Sequence, residues 1–262
     1  MNFQNQVVWV TGASSGIGEA LAKAFAREGA RLVLSARNEA ELHRVAAACA
    51  PAEVLVLPLD LAEAASLSAK AQQVVAHYSR LDVLVNNGGV SQRSLALETS
   101  LDVDRRLMEV NYFGTVALTK AVLPQLLQQR SGRVVTISSL VGKFGTPYRS
   151  AYAASKHALH GFFDSLRAEL HGSGVGITII CPGFIRTGVS INALTGDGRA
   201  LGTMDDATEK GLAPEEFARR ALPFIARGEP EAYIGGKETL GVYLKRFAPG
   251  IFAKLLARAK VR

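Results

Sequence analysis

Cysteine is scarce in this chain: Cys49 and Cys181 are the only two among 262 residues. They stand far apart, with no C-x-x-C pair and no cysteine/histidine cluster. That argues against a disulfide-stapled secreted scaffold and against a metal site, and for a reducing compartment, the cytoplasm. Cys181 ends an apolar run and reads as a small buried hydrophobe. No window of about 18 consecutive apolar residues occurs, so no transmembrane helix is expected. The opening stretch MNFQNQVVWV has no basic segment followed by an apolar one, and neither a signal peptide nor a membrane anchor is expected there. Internal repeats, low-complexity tracts and linkers are missing too.

What the chain does have is apolar substance. Hydrophobic residues make up 48% against 20% charged, enough to bury a full core. The net charge of +7 permits an anionic ligand, nucleic acid or an acidic membrane surface. Much of that excess lies from Lys237 onward, so it describes the tail more than the core.

Apolar runs at 6–10, 31–35, 53–57, 81–85, 132–138, 176–180 and 232–234 read as strands. Between them lie stretches with helical spacing, at 39–50, 66–78, 101–129, 151–171 and 214–227, and another that ends at Gly29. The 101–129 region reads as two helices meeting near Asn111. The strands are solidly apolar rather than alternating, which means a parallel sheet buried on both faces. The expectation is one α/β domain over 1–262, a doubly wound parallel sheet with helices on both faces. Two stretches break the rhythm. Residues 187–213 follow a strand end, hold several glycines and have no clear period, and read as a lid. Residues 240–262 are apolar and basic, with Phe252, Leu255 and Leu256 beside Arg258, Lys260 and Arg262.

Three features carry chemistry. Tyr152 and Lys156 stand four apart, which puts a phenol and an ammonium on one helix face. The ammonium is expected to ease ionisation of the phenol and make it a proton donor and acceptor. Ser139 sits at a strand end, where α/β folds gather ligand groups. Gly12-x-x-x-Gly16-x-Gly18 lies between strand and helix, where glycines let a backbone approach a diphosphate at the positive end of a helix. The same residues fit the G-x-S-x-G elbow of hydrolases, with Ser14 as nucleophile. Position rejects that reading, because only 11 residues precede Gly12 and the elbow needs strands before it. At the end of the second strand, Ala36 stands where a carboxylate would bind a ribose hydroxyl. Arg37 follows, and an arginine suits a 2′-phosphate, so the cofactor expected is NADP(H) before NAD(H). Glu39 and Glu41 read as first-turn helix residues.

Taken together the motifs resemble the short-chain dehydrogenase/reductase family, in the family's order and over essentially the whole length. Thr11-Gly12-Ala13-Ser14-Ser15-Gly16-Ile17-Gly18 matches its cofactor turn. Asp60, followed by Leu61, matches the acid that holds the adenine. Asn86-Asn87-Gly88-Gly89 resembles Asn-Asn-Ala-Gly, with Gly88 in place of alanine, a change expected to loosen the turn slightly. Asn111, Ser139, Tyr152 and Lys156 match the catalytic tetrad, and the spacing to Tyr152 selects Ser139 over Ser138. Pro182-Gly183-Phe184-Ile185-Arg186-Thr187 matches the segment whose Thr187 hydroxyl and Ile185 backbone meet the nicotinamide carboxamide. Residues 150–170 resemble the branch holding member 7B and the 11β-hydroxysteroid dehydrogenases.

The resemblance implies hydride transfer between the cofactor and a small-molecule carbonyl or secondary alcohol, with a lipophilic ketone as the substrate class. It also implies a homodimer or homotetramer, and Phe162, Phe163 and Leu166 are expected at the pairing surface. His157, His160 and His171 read as surface or interface residues. Tyr148 and Arg149 face either substrate or solvent. Phe144 and Phe184 line the pocket or belong to the core. Alternatives are an NAD-linked alcohol dehydrogenase of the same family, or a non-catalytic cofactor-binding regulatory protein. The tail lacks the interleaved aromatics of a nucleic-acid binder, but it suits weak peripheral contact with anionic lipid.

Overall fold

The structure is a computed structural model and describes residues 3–258. Lys260 and Arg262 of the basic tail lie outside the described residues.

Strand and helix alternate as β1 (Val7–Thr11), α1 (Gly16–Arg27), β2 (Arg31–Ser35), α2 (Glu39–Ala47), β3 (Val54–Val56), α3 (Ala64–Tyr78) and β4 (Val83–Asn86). After β4 come α4 (Leu101–Met108), α5 (Gly114–Gln129), β5 (Gly132–Ile137), α6 (Ser150–Glu169) and β6 (Val175–Pro182). The chain then runs through a short α7 (Asp206–Glu209), α8 (Pro214–Arg227), β7 (Glu231–Ile234), α9 (Leu240–Phe247) and α10 (Pro249–Arg258). The seven strands form one sheet in the order β3-β2-β1-β4-β5-β6-β7, every neighbouring pair parallel. The order reverses between β1 and β4. Chain leaving those two strands departs in opposite directions and opens a crevice at their carboxyl ends.

Both faces are buried, as the solid apolar runs predict. Along β1, Val7 and Trp9 face one core and Val8 and Val10 the other. The first core takes Leu67 and Val74 from α3, Leu118 and Val122 from α5, and Phe163 from α6. The second takes Leu21 and Phe25 from α1, Leu42 from α2 and Phe217 from α8. Trp9, the single tryptophan, donates its indole N–H to Ser35 Oγ at 2.9 Å, and Ser35 passes a hydrogen bond on to the Leu57 carbonyl at 2.6 Å. Asn38 caps α2 by accepting from the Glu41 N–H, which puts Glu39 and Glu41 in the first turn of that helix. Pro214 opens α8, and Gly228, at φ 71°, closes it.

Several expectations need correcting here. Phe163 and Leu166 are buried in the core, so they are not available to a pairing surface; Phe162 is half-buried, edge-on to Tyr112. His160 is buried rather than at the surface, because it packs between the end of β5 and β6. Arg149 does not face solvent; it is buried in an ion pair with Asp205. Phe144 belongs to the core, edge-on to Phe252 of α10 at 5.0 Å. Residues 240–258 form two helices, and Pro249 begins the second. Within residues 187–213, Leu194 bridges to Gln92, Leu212 bridges to Ile185, and α7 is formed. Among the described residues, no helix is long and apolar enough to cross a membrane, and no cluster of His, Cys, Asp and Glu could hold a metal.

Candidate active site

The glycine turn and the end of β4 are tied to each other. Thr11 Oγ1 donates to the Val85 carbonyl and accepts from the N–H groups of Asn87 and Gly88, both at 3.0 Å. The Asn87 amide donates back to the carbonyls of Thr11 and Gly12 at 3.0 and 3.2 Å. Gly12 sits at φ 63° with the Gly88 Cα so close that a methyl group would not fit. A methyl on Gly18 would overlap the Gly12 carbonyl. A side chain on Gly88 would meet Leu61 Cδ1 at 2.7 Å, so Leu61 occupies the space an alanine methyl would take. The Thr11 and Asn87 bonds keep the turn pinned, and no loosening follows from Gly88.

Ser15 precedes α1 in extended conformation without a side-chain cap, which leaves the first-turn N–H groups aimed at the crevice. Thr187, from the segment after β6, lies against Gly16: a methyl on that glycine would meet Thr187 Cγ2 at 3.0 Å. In the same segment the Gly183 N–H donates to the Ile234 carbonyl, Phe184 is half-buried, and Ile185 is buried. Glu238 accepts from the N–H groups of Phe184 and Gly236 and holds the Pro182-Gly183 bend from outside. A bare backbone cradle beside an uncapped helix start fits the diphosphate of a dinucleotide.

Two arginines stand near the end of β2. Arg44 is engaged: it pairs with Glu19 at 2.8 Å and Glu41 at 2.7 Å and reaches the Ser14 carbonyl at 3.4 Å. Arg44 holds the Glu19 carboxyl down to about 2. Arg37 is exposed and makes no ion pair or hydrogen bond among the described residues. Asp60 is half-buried, accepts from the Ala62 N–H at 2.9 Å and lies 3.7 Å from Arg106.

The π-helical turn Glu109–Phe113 between α4 and α5 carries Asn111 inward. Its side chain is fully used: it accepts from the Val90 N–H at 2.8 Å and donates to the Val90 carbonyl at 2.9 Å and Ser155 Oγ at 3.0 Å. The two serines after β5 part company. Ser138 is buried and bonded to His160 Nε2 at 3.0 Å, whereas Ser139 begins a 3-10 turn and stands beside the Tyr152 phenol. Physical placement thus separates the two serines.

Lys156 is buried, and its ammonium donates to the Ile137 carbonyl at 2.8 Å while lying 5.8 Å from the centre of the Tyr152 ring. Burial brings its pKa down to about 8. The phenol of Tyr152 is held above its ordinary value, not below it, because burial outweighs everything that favours the phenolate. What does favour it is the charge of Arg93, the Ser139 hydroxyl and the charge of Arg149. The ring packs against the apolar cluster of Val103, Leu107 and Ala151, with Val90 and Leu194.

Sequence reasoning missed Gln92, Arg93 and Asp205. Gln92 is fully buried, and its Oε1 accepts from the N–H groups of Ala151 and Tyr152 at 2.9 and 3.3 Å, a cap for α6 supplied from another segment. Arg93 and Arg149 share the carboxylate of Asp205 at 2.6 and 3.3 Å, all three buried. The one available signal was the polar run Ser91-Gln92-Arg93-Ser94 directly after the β4 glycines. His157, by contrast, is exposed and bonded to the Ala153 carbonyl, and His171 is exposed.

Residues 6–197 match the family described as short chain dehydrogenase. The chain is 44% identical to a dehydrogenase/reductase SDR family protein 7-like of Drosophila melanogaster, over 99% of this chain and 83% of that protein. It is 43% identical to dehydrogenase/reductase SDR family member 7B of Bos taurus, over 97% and 81%. Its fold is similar to that of a Burkholderia phymatum short-chain dehydrogenase/reductase in complex with NAD, with a TM-score of 0.86, 25% identity and 96% of each chain covered. It is also similar to an alcohol dehydrogenase of Thermococcus sibiricus complexed with 5-hydroxy-NADP, with a TM-score of 0.75, 26% identity, and 89% and 97% covered. The chain therefore belongs to the short-chain dehydrogenase/reductase family, oxidoreductases that act on CH–OH groups with a nicotinamide dinucleotide.

Proposed function

We propose that this protein is an NADP(H)-dependent carbonyl reductase, reversible as a secondary-alcohol dehydrogenase, with a lipophilic ketone as substrate. The observation that carries the reading is the convergence of Ser139, Tyr152, Lys156 and Asn111 at the crevice beside the glycine turn. When bound, the nicotinamide supplies or accepts the hydride. Tyr152 gives its proton to the developing alkoxide in reduction and takes it back in oxidation. Ser139 donates a hydrogen bond to the same oxygen. Lys156 binds the nicotinamide ribose and hands protons to the phenol. The side chain of Asn111 is occupied by Val90 and Ser155, so its part is to hold that wall of the site and, through its backbone, a water of the proton relay.

The turn of Gly12, Ser14, Ser15, Gly16, Ile17 and Gly18 receives the diphosphate. Asp60 and Leu61, with Asn87 and Gly88, take the adenosine side; Pro182, Gly183, Ile185 and Thr187 take the carboxamide. Arg37, exposed and unpaired at the end of β2, takes the 2′-phosphate, whereas Arg44 is already neutralised by Glu19 and Glu41. Residues 187–213 serve as the lid, and the protein works as a homodimer or homotetramer. The two buried free thiols suit the cytoplasm. The exposed Phe247 and Ile251 near Lys245, Arg246 and Lys254 suit peripheral contact with anionic lipid.

The test is NADPH oxidation against a panel of aromatic, steroid and long-chain ketones. Tyr152→Phe is expected to lower turnover by about 100- to 10000-fold while coenzyme binding stays. A panel with no substrate, or a Tyr152→Phe variant as active as the parent, would overturn the proposal.

A further inference from the structure

After β7 the chain turns back onto the segment that follows β6, and one carboxylate joins the two. Glu238 lies in the 3-10 turn Lys237–Thr239 that leads into α9. Its Oε1 accepts from the Gly236 N–H at 2.9 Å and from the Phe184 N–H at 3.2 Å. The second bond spans 54 residues, and no spacing in the sequence announces it.

The carboxylate sits where three glycines meet. A methyl on Gly183 would overlap Glu238 Oε1, and methyls on Gly235 and Gly236 would come within 2.7 and 2.8 Å of the carboxylate oxygens. The slot is therefore built from both segments: the backbone carries no side chain where the carboxylate enters, and two N–H groups meet one of its oxygens. A backbone N–H bonds an ionised carboxylate more strongly than a neutral acceptor. Phe184, Leu212, Gly235 and Glu238 line an open cleft behind the bend, so a hydrogen bond rather than packing holds the chain there.

The other edge of the same segment is fixed by Leu212. The Phe184 carbonyl accepts from the Leu212 N–H, and the Arg186 N–H donates to the Leu212 carbonyl, both at 2.9 Å. These two bonds flank Ile185, so its own N–H and carbonyl turn to the side away from Leu212. Two residues on, Thr187 lies against Gly16 of the glycine turn. Glu238 thus fixes the residue directly before Ile185, and Ile185 and Thr187 are the pair assigned above to the nicotinamide carboxamide.

We propose that Glu238 is a positioning residue for the nicotinamide end of the coenzyme: by holding the Phe184 N–H it sets the Ile185 backbone and the Thr187 hydroxyl for the carboxamide. The assignment rests on that placing of the carboxamide. Contacts ordered in advance bind more tightly than contacts that must first be ordered. The adenosine and diphosphate end depends on other parts of the chain: the turn between β1 and α1, Asp60 before α3, and Asn87 after β4. Glu238 therefore serves one end of the coenzyme and not the other.

The experiment is isothermal titration calorimetry of the full chain with NADPH and NADH and with the matching fragments that lack nicotinamide, 2′-phospho-ADP-ribose and ADP-ribose. Glu238→Ala should weaken the tighter coenzyme by at least about tenfold and leave its fragment within about twofold of the parent. Glu238→Gln keeps an acceptor of the same reach and should restore coenzyme binding to within about threefold. Gly183→Ala displaces the carboxylate from the other side and should repeat the selective loss, which keeps the test open if Glu238→Ala folds poorly. A purely structural role would weaken coenzyme and fragment alike. Equal weakening of the two, no weakening of the coenzyme, or a Glu238→Gln variant as weak as Glu238→Ala would overturn the assignment. The readout needs no turnover. NADH bound as tightly as NADPH, with the selective loss still present, would sink the NADP(H) reading alone. A preference for NADPH without the selective loss would sink this assignment alone.

Discussion

Gln92→Met tests whether the helix that carries Tyr152 and Lys156 is held from outside. The two side chains have similar length and volume, so the exchange leaves no large cavity and isolates the polar loss. Gln92 is fully buried, and its Oε1 takes two first-turn N–H groups of α6, those of Ala151 and Tyr152. Its Nε2 donates to Thr99 Oγ1 at 2.8 Å and to the hydroxyls of Ser94 and Ser150 at 3.3 Å. Ser94 and Thr99 keep each other at 2.7 Å when the amide is gone, so the loss on that side is small. The cost falls on the two N–H groups, each left buried without an acceptor at about 1–3 kcal/mol. Fraying of the first turn to reach water relieves part, leaving a destabilisation of about 2–4 kcal/mol. For a domain of this size that lowers Tm by roughly 4–16 °C. Thermal unfolding by circular dichroism measures it directly. Turnover should fall more than KM rises, because one of the two groups is the N–H of Tyr152. A Tm within about 1 °C of the parent would refute the reasoning, since an effect that small is under about 0.5 kcal/mol.

Three further outcomes follow from other parts of the structure. Gly18→Ala drives a methyl into the Gly12 carbonyl, so calorimetry should find dinucleotide affinity down by at least about tenfold and stability down by about 1–3 kcal/mol. His160 is held neutral by burial, its pKa brought down from 6.5 to about 4. The unfolded chain therefore binds the proton first: stability is full above about pH 6.5 and falls by about 3 kcal/mol as pH drops through that window to 4, a slope that urea titrations should find reduced in His160→Gln. Phe247 and Ile251 are 80% and 60% exposed beside basic residues, so the double change to serine should leave Tm within about 2 °C but reduce sedimentation with anionic vesicles.

The sheet was legible because each buried strand writes its own apolar run. β1 and β2 lie within a residue of the reading, and the break near Asn111 is the π turn between α4 and α5. Residues of the glycine turn, Tyr152 and Lys156 were legible because local spacing places them. The environment of the phenol was not. Arg93 and Asp205 meet across 112 residues, and nothing local to either marks a buried pair. The same holds for His160 and Arg149, polar residues buried by partners from distant strands and loops. Phe163 and Leu166 misled for a related reason: α6 is apolar on more than one side, and only the packed sheet shows which side is core. The phenol's pKa follows suit, since i,i+4 spacing shows a neighbouring ammonium but neither where it points nor how deeply the pair is buried.

The central claim is NADP(H)-linked chemistry at this crevice, and a fluorescence titration of the protein with NADPH and NADH tests it most directly, repeated on Arg37→Ala. A charge-assisted contact to the 2′-phosphate is worth about 1.5–3 kcal/mol, so NADPH should bind at least about tenfold tighter and the preference should collapse in the variant. NADH binding as tightly as NADPH, or a preference that survives Arg37→Ala, would contradict the account.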